Sequence, residues 1–257
     1  MEYALITGAS KGIGRAIAEE LAIRGFNILL VARSGELLQQ VAAQITARYT
    51  VQTDWLALDL SLAEAPQSVY EWCRAKGYEV SILVNNAGYG LSGPFEKYSL
   101  EEHLNMMQLN MSTVVGLTRL FLPDLHRRSR AYILNVASSA AYQAVPKLSL
   151  YAATKAFVLA FSRGLHQELQ GSPVSVTCVS PGATDTDFPN RAQLGAKGMK
   201  AAEKFNMTPA AVAGTAVKGM LAGRAEVITG FVNKLGAAMA WLLPKTLVER
   251  TAMKIYE

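Results

Sequence analysis

Short apolar runs rich in β-branched residues alternate with longer stretches of helical period, and this alternation restricts the fold more than any other feature of the chain. The runs are Tyr3–Thr7, Asn27–Ala32, Trp55–Leu58, Val80–Asn85, Tyr132–Ala137, Val174–Val179 and Val227–Thr229. A strand, a crossover helix and a second strand make a parallel pair. Seven such strands predict a mostly parallel, doubly wound α/β sheet with helices on both faces. The helical stretches carry the stripes that such helices need. Ile13, Ala16, Ile17 and Leu21 form one that ends before Gly25, and Leu37, Leu38, Val41 and Ile45 form another behind Ser34 as N-cap. A length of 257 residues without repeat or linker fits one domain over residues 1–257.

Hydrophobic residues make up 51% and charged residues 18%, which excludes disorder and collagen and predicts a compact fold. Cys73 and Cys178 lie far apart and there are three histidines, so neither a disulfide framework nor a metal site is expected. A reducing, cytoplasmic setting follows. Met1–Thr7 lacks the marks of a signal peptide. The most lipid-like stretch, Leu235–Leu243, is nine residues long, too short for a bilayer core of roughly 30 Å. Burial within the protein is the simplest expectation for Phe231–Leu243. Packing on a partner, lining the pocket and touching a membrane surface are its alternatives. The net charge of +5 comes without an aromatic-interleaved basic run, which argues against nucleic acid. The cluster from His126 to Arg130 suits a helix C-terminus, whose dipole it complements.

Thr7-Gly8-Ala9-Ser10-Lys11-Gly12-Ile13-Gly14 follows the first strand and opens the first helix. Glycines there let the backbone turn tightly and approach a pyrophosphate, while the helix N-terminus offers unpaired N–H groups. The spacing is G-x-x-x-G-x-G, distinct from the common G-x-G-x-x-G. The second strand ends at Ala32-Arg33, where an NAD-selective protein would usually place an acid on the ribose hydroxyls. Arg33 and Lys11 would instead attract a 2′-phosphate, which favours NADP(H) over NAD(H).

Tyr151 and Lys155 stand four residues apart at the start of a helical stretch and share one face. An ammonium near a phenol favours the phenolate and suits it to general acid–base work near neutral pH. Ser138 falls at the C-terminal end of the fifth strand, on the sheet edge where the glycine loop also opens, and its hydroxyl can hydrogen-bond a carbonyl oxygen. Ser139 competes for that role. Asn110 lies in the helix before that strand.

These motifs, with Asp59-Leu60, Asn85-Asn86-Ala87-Gly88 and Pro181-Gly182, resemble the short-chain dehydrogenase/reductase family over nearly the whole chain. The resemblance implies a Rossmann-type fold and a tetrad of Asn110, Ser138, Tyr151 and Lys155. Tyr151 would exchange the proton and Ser138 would polarise the carbonyl. Lys155 would bind the nicotinamide ribose and acidify the tyrosine, while Asn110 would hold a relay water. For the cofactor it implies Gly8, Ser10, Lys11, Gly12, Ile13 and Gly14 at the pyrophosphate, and Asp59 with Leu60 at the adenine. Asn86, Ala87 and Gly88 would lie near the adenosine ribose, and Pro181, Gly182, Thr184 and Thr186 around the nicotinamide. The stretches L-V-A-R-S and V-A-S-S-A-A-Y-Q are similar to a bacterial branch related to steroid and long-chain ketoacyl reductases. Homodimers or homotetramers through the helices at Glu101–Leu122 and Tyr151–Leu169 are implied as well.

Residues 185–208 form a long irregular segment with Gly195, Gly198, Phe188, Leu194, Met199, Phe205 and Met207, and are expected to be a substrate lid. Its apolar residues, with those at Tyr89–Phe95, suggest a moderately hydrophobic carbonyl or alcohol as substrate. A non-catalytic NADP(H)-binding regulator or scaffold is the alternative. An epimerase or dehydratase on the same platform would be expected to carry a G-x-x-G-x-x-G loop.

Overall fold

The structure, a computed structural model, describes residues 2–195, 198–200 and 206–256, with side chains to residue 254. Phe205 of the expected lid lies outside the described residues. Seven strands form one sheet among the described residues: β1 (Tyr3–Thr7), β2 (Asn27–Ala32), β3 (Thr53–Ala57), β4 (Val80–Asn85), β5 (Ala131–Val136), β6 (Val174–Ser180) and β7 (Glu226–Ile228). Their order is β3-β2-β1-β4-β5-β6-β7, and every pairing is parallel. Every residue of β2, β4 and β5 is buried, as strands covered on both faces must be.

Alternate residues of each strand feed two separate cores. Ala4 and Ile6 of β1 join Ile17 and Leu21 of α1 (Gly12–Ala22), Leu38 and Ile45 of α2 (Gly35–Arg48), and Val217 of α8 (Pro209–Leu221). Leu5, between them, points the other way. It joins Val69 of α3 (Ala65–Ala75) and Leu117 and Phe121 of α5 (Thr113–Leu125). The two-residue period of a strand thus divides the apolar sequence between the faces. The central strands β1 and β4 diverge in their onward connections, so a crevice opens at their C-terminal ends.

Some local expectations are corrected. Ser34 stands at the N-cap of α2, but its side chain makes no capping bond. Leu37 is 39% exposed and lines the crevice, because Leu38, Val41, Ala42 and Ile45 already fill the sheet-facing stripe. The helix expected from Glu101 to Leu122 is broken into α4 (Leu100–Met107) and α5 by a wide π-type turn at Gln108–Ser112. α4 starts with a capping box in which the Ser99 and Glu102 side chains each accept the other's backbone N–H. The long α6 (Ser149–Glu168) is continuous.

The basic cluster after α5 is spent locally. Arg127 pairs with Asp124 at 2.8 Å and Arg128 with Glu79 at 3.1 Å. Cys73 and Cys178 are buried and free. The expected burial of Phe231–Leu243 is overturned. α9 (Phe231–Leu242) has no buried residue, because its half-buried positions are Asn233, Ala237 and Ala240 while its large side chains face outward. α10 (Lys245–Tyr256) follows it. No helix among the described residues is long and apolar enough to cross a membrane.

Phe121 is almost fully buried and meets Tyr70 edge-on at 5.2 Å. Phe121→Ala should lower the unfolding free energy by about 3–5 kcal/mol. Urea unfolding checks this, and a loss under about 1 kcal/mol would show that α5 does not hold that core.

Candidate active site

A cleft of about 1230 Å³ runs along the C-terminal edge of the sheet. Gly8 and Gly14 shape its glycine-loop wall. Gly8 has φ +64°, and a Cβ on it would lie 2.8 Å from Asn86 Nδ2; one on Gly14 would lie 2.3 Å from the Gly8 carbonyl oxygen. Only glycine fits either position without displacing backbone. Thr7 and Asn86 lock the loops after β1 and β4 together. Thr7 Oγ1 accepts from the Asn86 and Ala87 amides at 2.9 and 3.1 Å and donates to the Val84 carbonyl at 3.1 Å. Asn86 Nδ2 donates to the Thr7 and Gly8 carbonyls at 2.9 and 3.2 Å. Lys11 is the N-cap of α1 and no side chain caps that helix. Its first amides and positive dipole end are thus left for an anion, and Ser10, Gly12 and Ile13 line the same wall. This cradle fits the pyrophosphate of a dinucleotide.

Arg33, Asp59 and Leu60 line the cleft beyond β2 and β3. Asp59 Oδ1 accepts from the Ser61 amide at 2.9 Å and the Ser61 hydroxyl at 2.8 Å. Partial burial raises the Asp59 carboxyl, but those bonds, with Arg33 and Arg191 nearby, bring it below the ordinary carboxylate range. The Lys11 ammonium bonds Asp187 at 2.5 Å, with both side chains about half exposed.

Tyr151 and Lys155 stand one turn apart on α6, both buried and both lining the cleft. Lys155 is 5% exposed. Its Nζ donates to the Val136 carbonyl at 2.9 Å and lies 5.9 Å from the centre of the Tyr151 ring. Burial pulls its pKa down from 10.5 to about 8. A Cβ on Gly88 would come within 3.3 Å of Lys155 Nζ and 2.9 Å of Asn110 Oδ1, so the loop after β4 brings these groups together. Asn110 sits in the π-type turn. Its Nδ2 donates to the Tyr89 carbonyl at 2.9 Å and to Thr154 Oγ1 at 3.0 Å, and its Oδ1 accepts from the Tyr89 amide at 3.1 Å. It is buried behind the cleft wall. Ser138 lines the cleft and accepts from the Ala140 amide at 3.1 Å, which uses a lone pair and leaves the O–H to donate. Ser139 also lines it, with its amide donating to the Pro181 carbonyl at 2.7 Å.

After β6, Pro181, Gly182, Thr184 and Thr186 line the cleft. Thr184 and Thr186 hydroxyls donate to the Gly182 and Thr184 carbonyls at 3.1 and 3.3 Å. The expected lid leaves and returns at one point, since the Asp185 amide donates to the Met207 carbonyl at 2.9 Å and the Met207 amide donates to the Ala183 carbonyl at 3.0 Å. Its short α7 (Phe188–Arg191) sets the Phe188 ring 5.2 Å from the Tyr151 ring and the Arg191 guanidinium 4.8 Å over Tyr89. Arg191 and Asn233, which sits where a Cβ on Gly182 would overlap it, are cleft residues that sequence reasoning missed. Neither belongs to a periodic or glycine-rich pattern.

Lys155 titrating near pH 8 has a visible consequence. Its folded value is depressed, so unfolding takes up a proton between about pH 8 and 10.5, and this group makes the fold more stable as pH rises through that window. NMR of side-chain-labelled lysine should show one signal titrating near pH 8 that disappears in Lys155→Met. Titration of every lysine near 10.5 would contradict it.

A family model described as short chain dehydrogenase matches residues 2–196. The very-long-chain 3-oxoacyl-CoA reductase of Anas platyrhynchos is 41% identical over 185 residues, covering 70% of this chain and 58% of that protein. The chain therefore spans somewhat over half the length of the curated relatives it matches. A solved structure reported for 7beta-hydroxysteroid dehydrogenase stereoselectivity aligns over 98% of this chain and 96% of that one, at 25% identity and TM-score 0.87. A short-chain dehydrogenase from Sphingobium yanoikuyae in complex with NADPH aligns over 94% of both chains, at 30% identity and TM-score 0.82. With the glycine cradle, the buried Tyr151–Lys155 face and this match over most of its length, the chain belongs to the short-chain dehydrogenase family, whose members bind a nicotinamide cofactor.

Proposed function

We propose that the protein is an NADP(H)-dependent oxidoreductase that interconverts a moderately hydrophobic carbonyl compound and its alcohol, with Tyr151 as the proton-transfer group. The observation that carries this reading is the buried Lys155 ammonium beside Tyr151, in a cleft that Ser138 also lines. When bound, the nicotinamide supplies or accepts the hydride. The amides at the start of α1 hold the pyrophosphate. Lys155 holds the ribose hydroxyls and keeps a positive charge beside the phenol. In the reducing direction Ser138 donates a hydrogen bond to the carbonyl oxygen, and Tyr151 gives its proton to the oxygen as it gains negative charge. Oxidation reverses both steps. Asn110, behind the cleft wall next to Gly88, takes the relay-water part that the family resemblance implies.

Arg33 follows Ala32 at the end of β2, in the place where an acid would select NAD(H), and this supports NADP(H). The Sphingobium yanoikuyae relative is in complex with NADPH. Because Lys11 is paired with Asp187, Arg33 carries more of the expected attraction for the 2′-phosphate. Val145, Leu148, Phe188 and Leu194 give the cleft apolar walls. Together with the names of the curated relatives, they support a 3-oxoacyl thioester or a similarly apolar ketone as substrate. Exposed Leu100, Leu104 and Val115 on α4 and α5 support a homodimer or homotetramer through those helices. The two free, buried cysteines accord with a cytoplasmic setting.

Tyr151→Phe should cut NADPH-dependent ketone reduction by about 100-fold or more while leaving NADPH affinity within about threefold. Near-normal turnover would remove Tyr151 from the proton step. Arg33→Asp should shift the NADPH-to-NADH preference by about 10- to 150-fold, read from the ratio of kcat/KM values. An unchanged ratio would assign cofactor choice elsewhere.

A further inference from the structure

Helix α9 is built inside out for a soluble protein. Its half-buried positions are Asn233, Ala237 and Ala240, with Asn233 Nδ2 tied to the Thr229 carbonyl at 2.7 Å. Its exposed positions include Phe231, Val232, Leu235, Met239 and Leu242, with Phe231 79% and Leu235 53% exposed. At 100° per residue these five side chains fall within about a third of the helix circumference, a continuous apolar stripe aimed away from the protein. Trp241, 86% exposed, lies about 80° outside that stripe, on the flank that Lys234 shares, near the C-terminal end of the helix.

The C-terminal stretch that carries the stripe is also basic. Lys234, Lys245, Arg250 and Lys254 are exposed, none forms an ion pair among the described residues, and Glu249 is the single acid among residues 231–254. A two-fold contact with a second copy through this face would bring the same basic residues together from both sides. A surface that is apolar at its centre and negative around it suits both parts. An anionic bilayer has that character, with acyl chains for the stripe, headgroups for the cations and an interfacial level for the indole.

We propose that the outer face of α9, with the cations of α9 and α10, docks on the surface of an anionic lipid bilayer, the helix lying in the plane of the interface. The docked face adjoins the cleft, which Val232, Asn233 and Ala252 also line, so its mouth opens at the lipid surface. A substrate with a long apolar tail could then enter from the acyl layer. Docking itself does not depend on the reaction proposed above.

The full chain is tested by co-sedimentation with vesicles of phosphatidylcholine alone and of phosphatidylcholine mixed with phosphatidylglycerol. Binding is expected to the mixed vesicles, weakening as salt rises, with a blue shift of tryptophan emission that Trp241→Phe removes. The double substitution Leu235→Glu and Leu242→Glu should lower partitioning by at least about tenfold while thermal unfolding and NADPH binding stay unchanged. Lys234→Glu with Lys245→Glu should abolish the preference for anionic lipid and provides a second, independent variant. No binding to the mixed vesicles overturns the proposal, as does partitioning that neither pair of substitutions changes. If Leu235→Glu with Leu242→Glu instead lowers the mass measured by light scattering and the wild type ignores vesicles, the face joins two copies and the lipid assignment fails.

Discussion

A buried ammonium ion is an expensive thing for a fold to hold, and Lys155 is held at the carboxyl end of β5 by a bond to the Val136 carbonyl. Three separate parts of the chain meet around it. α6 supplies the lysine and places Tyr151 one turn earlier. The loop after β4 supplies Gly88, whose missing side chain leaves the space for Nζ. The π-type turn supplies Asn110, which fastens Tyr89 and Thr154 to one another. A group that costs stability to bury, and that is depressed towards neutral pH by burial, is more readily understood through what it does than through what it stabilises.

The sheet makes that meeting possible. β1 and β4 are neighbours whose connections run in opposite directions, so the loops that follow them border one crevice. Thr7 and Asn86 bind those loops to each other through bonds between residues 79 apart in the chain. The glycine cradle and the Lys155 cluster are therefore two ends of one cleft. Beyond β6, Asp187 ties the chain back to the glycine loop through Lys11.

Much of this was legible in the sequence because parallel strands covered on both faces must be continuous apolar runs. β2 and β4 match their expected bounds residue for residue. β3 begins at Thr53, ahead of its apolar run, because as an edge strand it is only partly buried and its first residues need not be apolar. The π-type turn was illegible, since one extra residue per turn leaves the apolar count nearly intact. Two kinds of information were missing altogether. The Lys11–Asp187 pair joins residues 176 apart, and nothing local marks either as the other's partner. For α9 the composition read correctly as apolar, but which side of a helix faces the protein is decided by what it packs on, here the turn at Ser139–Tyr142.

The central claim is that Tyr151, Ser138 and Lys155 act on one carbonyl oxygen and one bound cofactor. An experimental structure with NADP+ and a ketone or alcohol ligand tests it most directly. The ligand oxygen is expected within hydrogen-bond reach, about 2.6–3.2 Å, of both the Tyr151 hydroxyl and Ser138 Oγ, with Lys155 Nζ on the ribose hydroxyls. A ligand oxygen seated away from both hydroxyls, or a cofactor that leaves Lys155 bonded to Val136 alone, would contradict it.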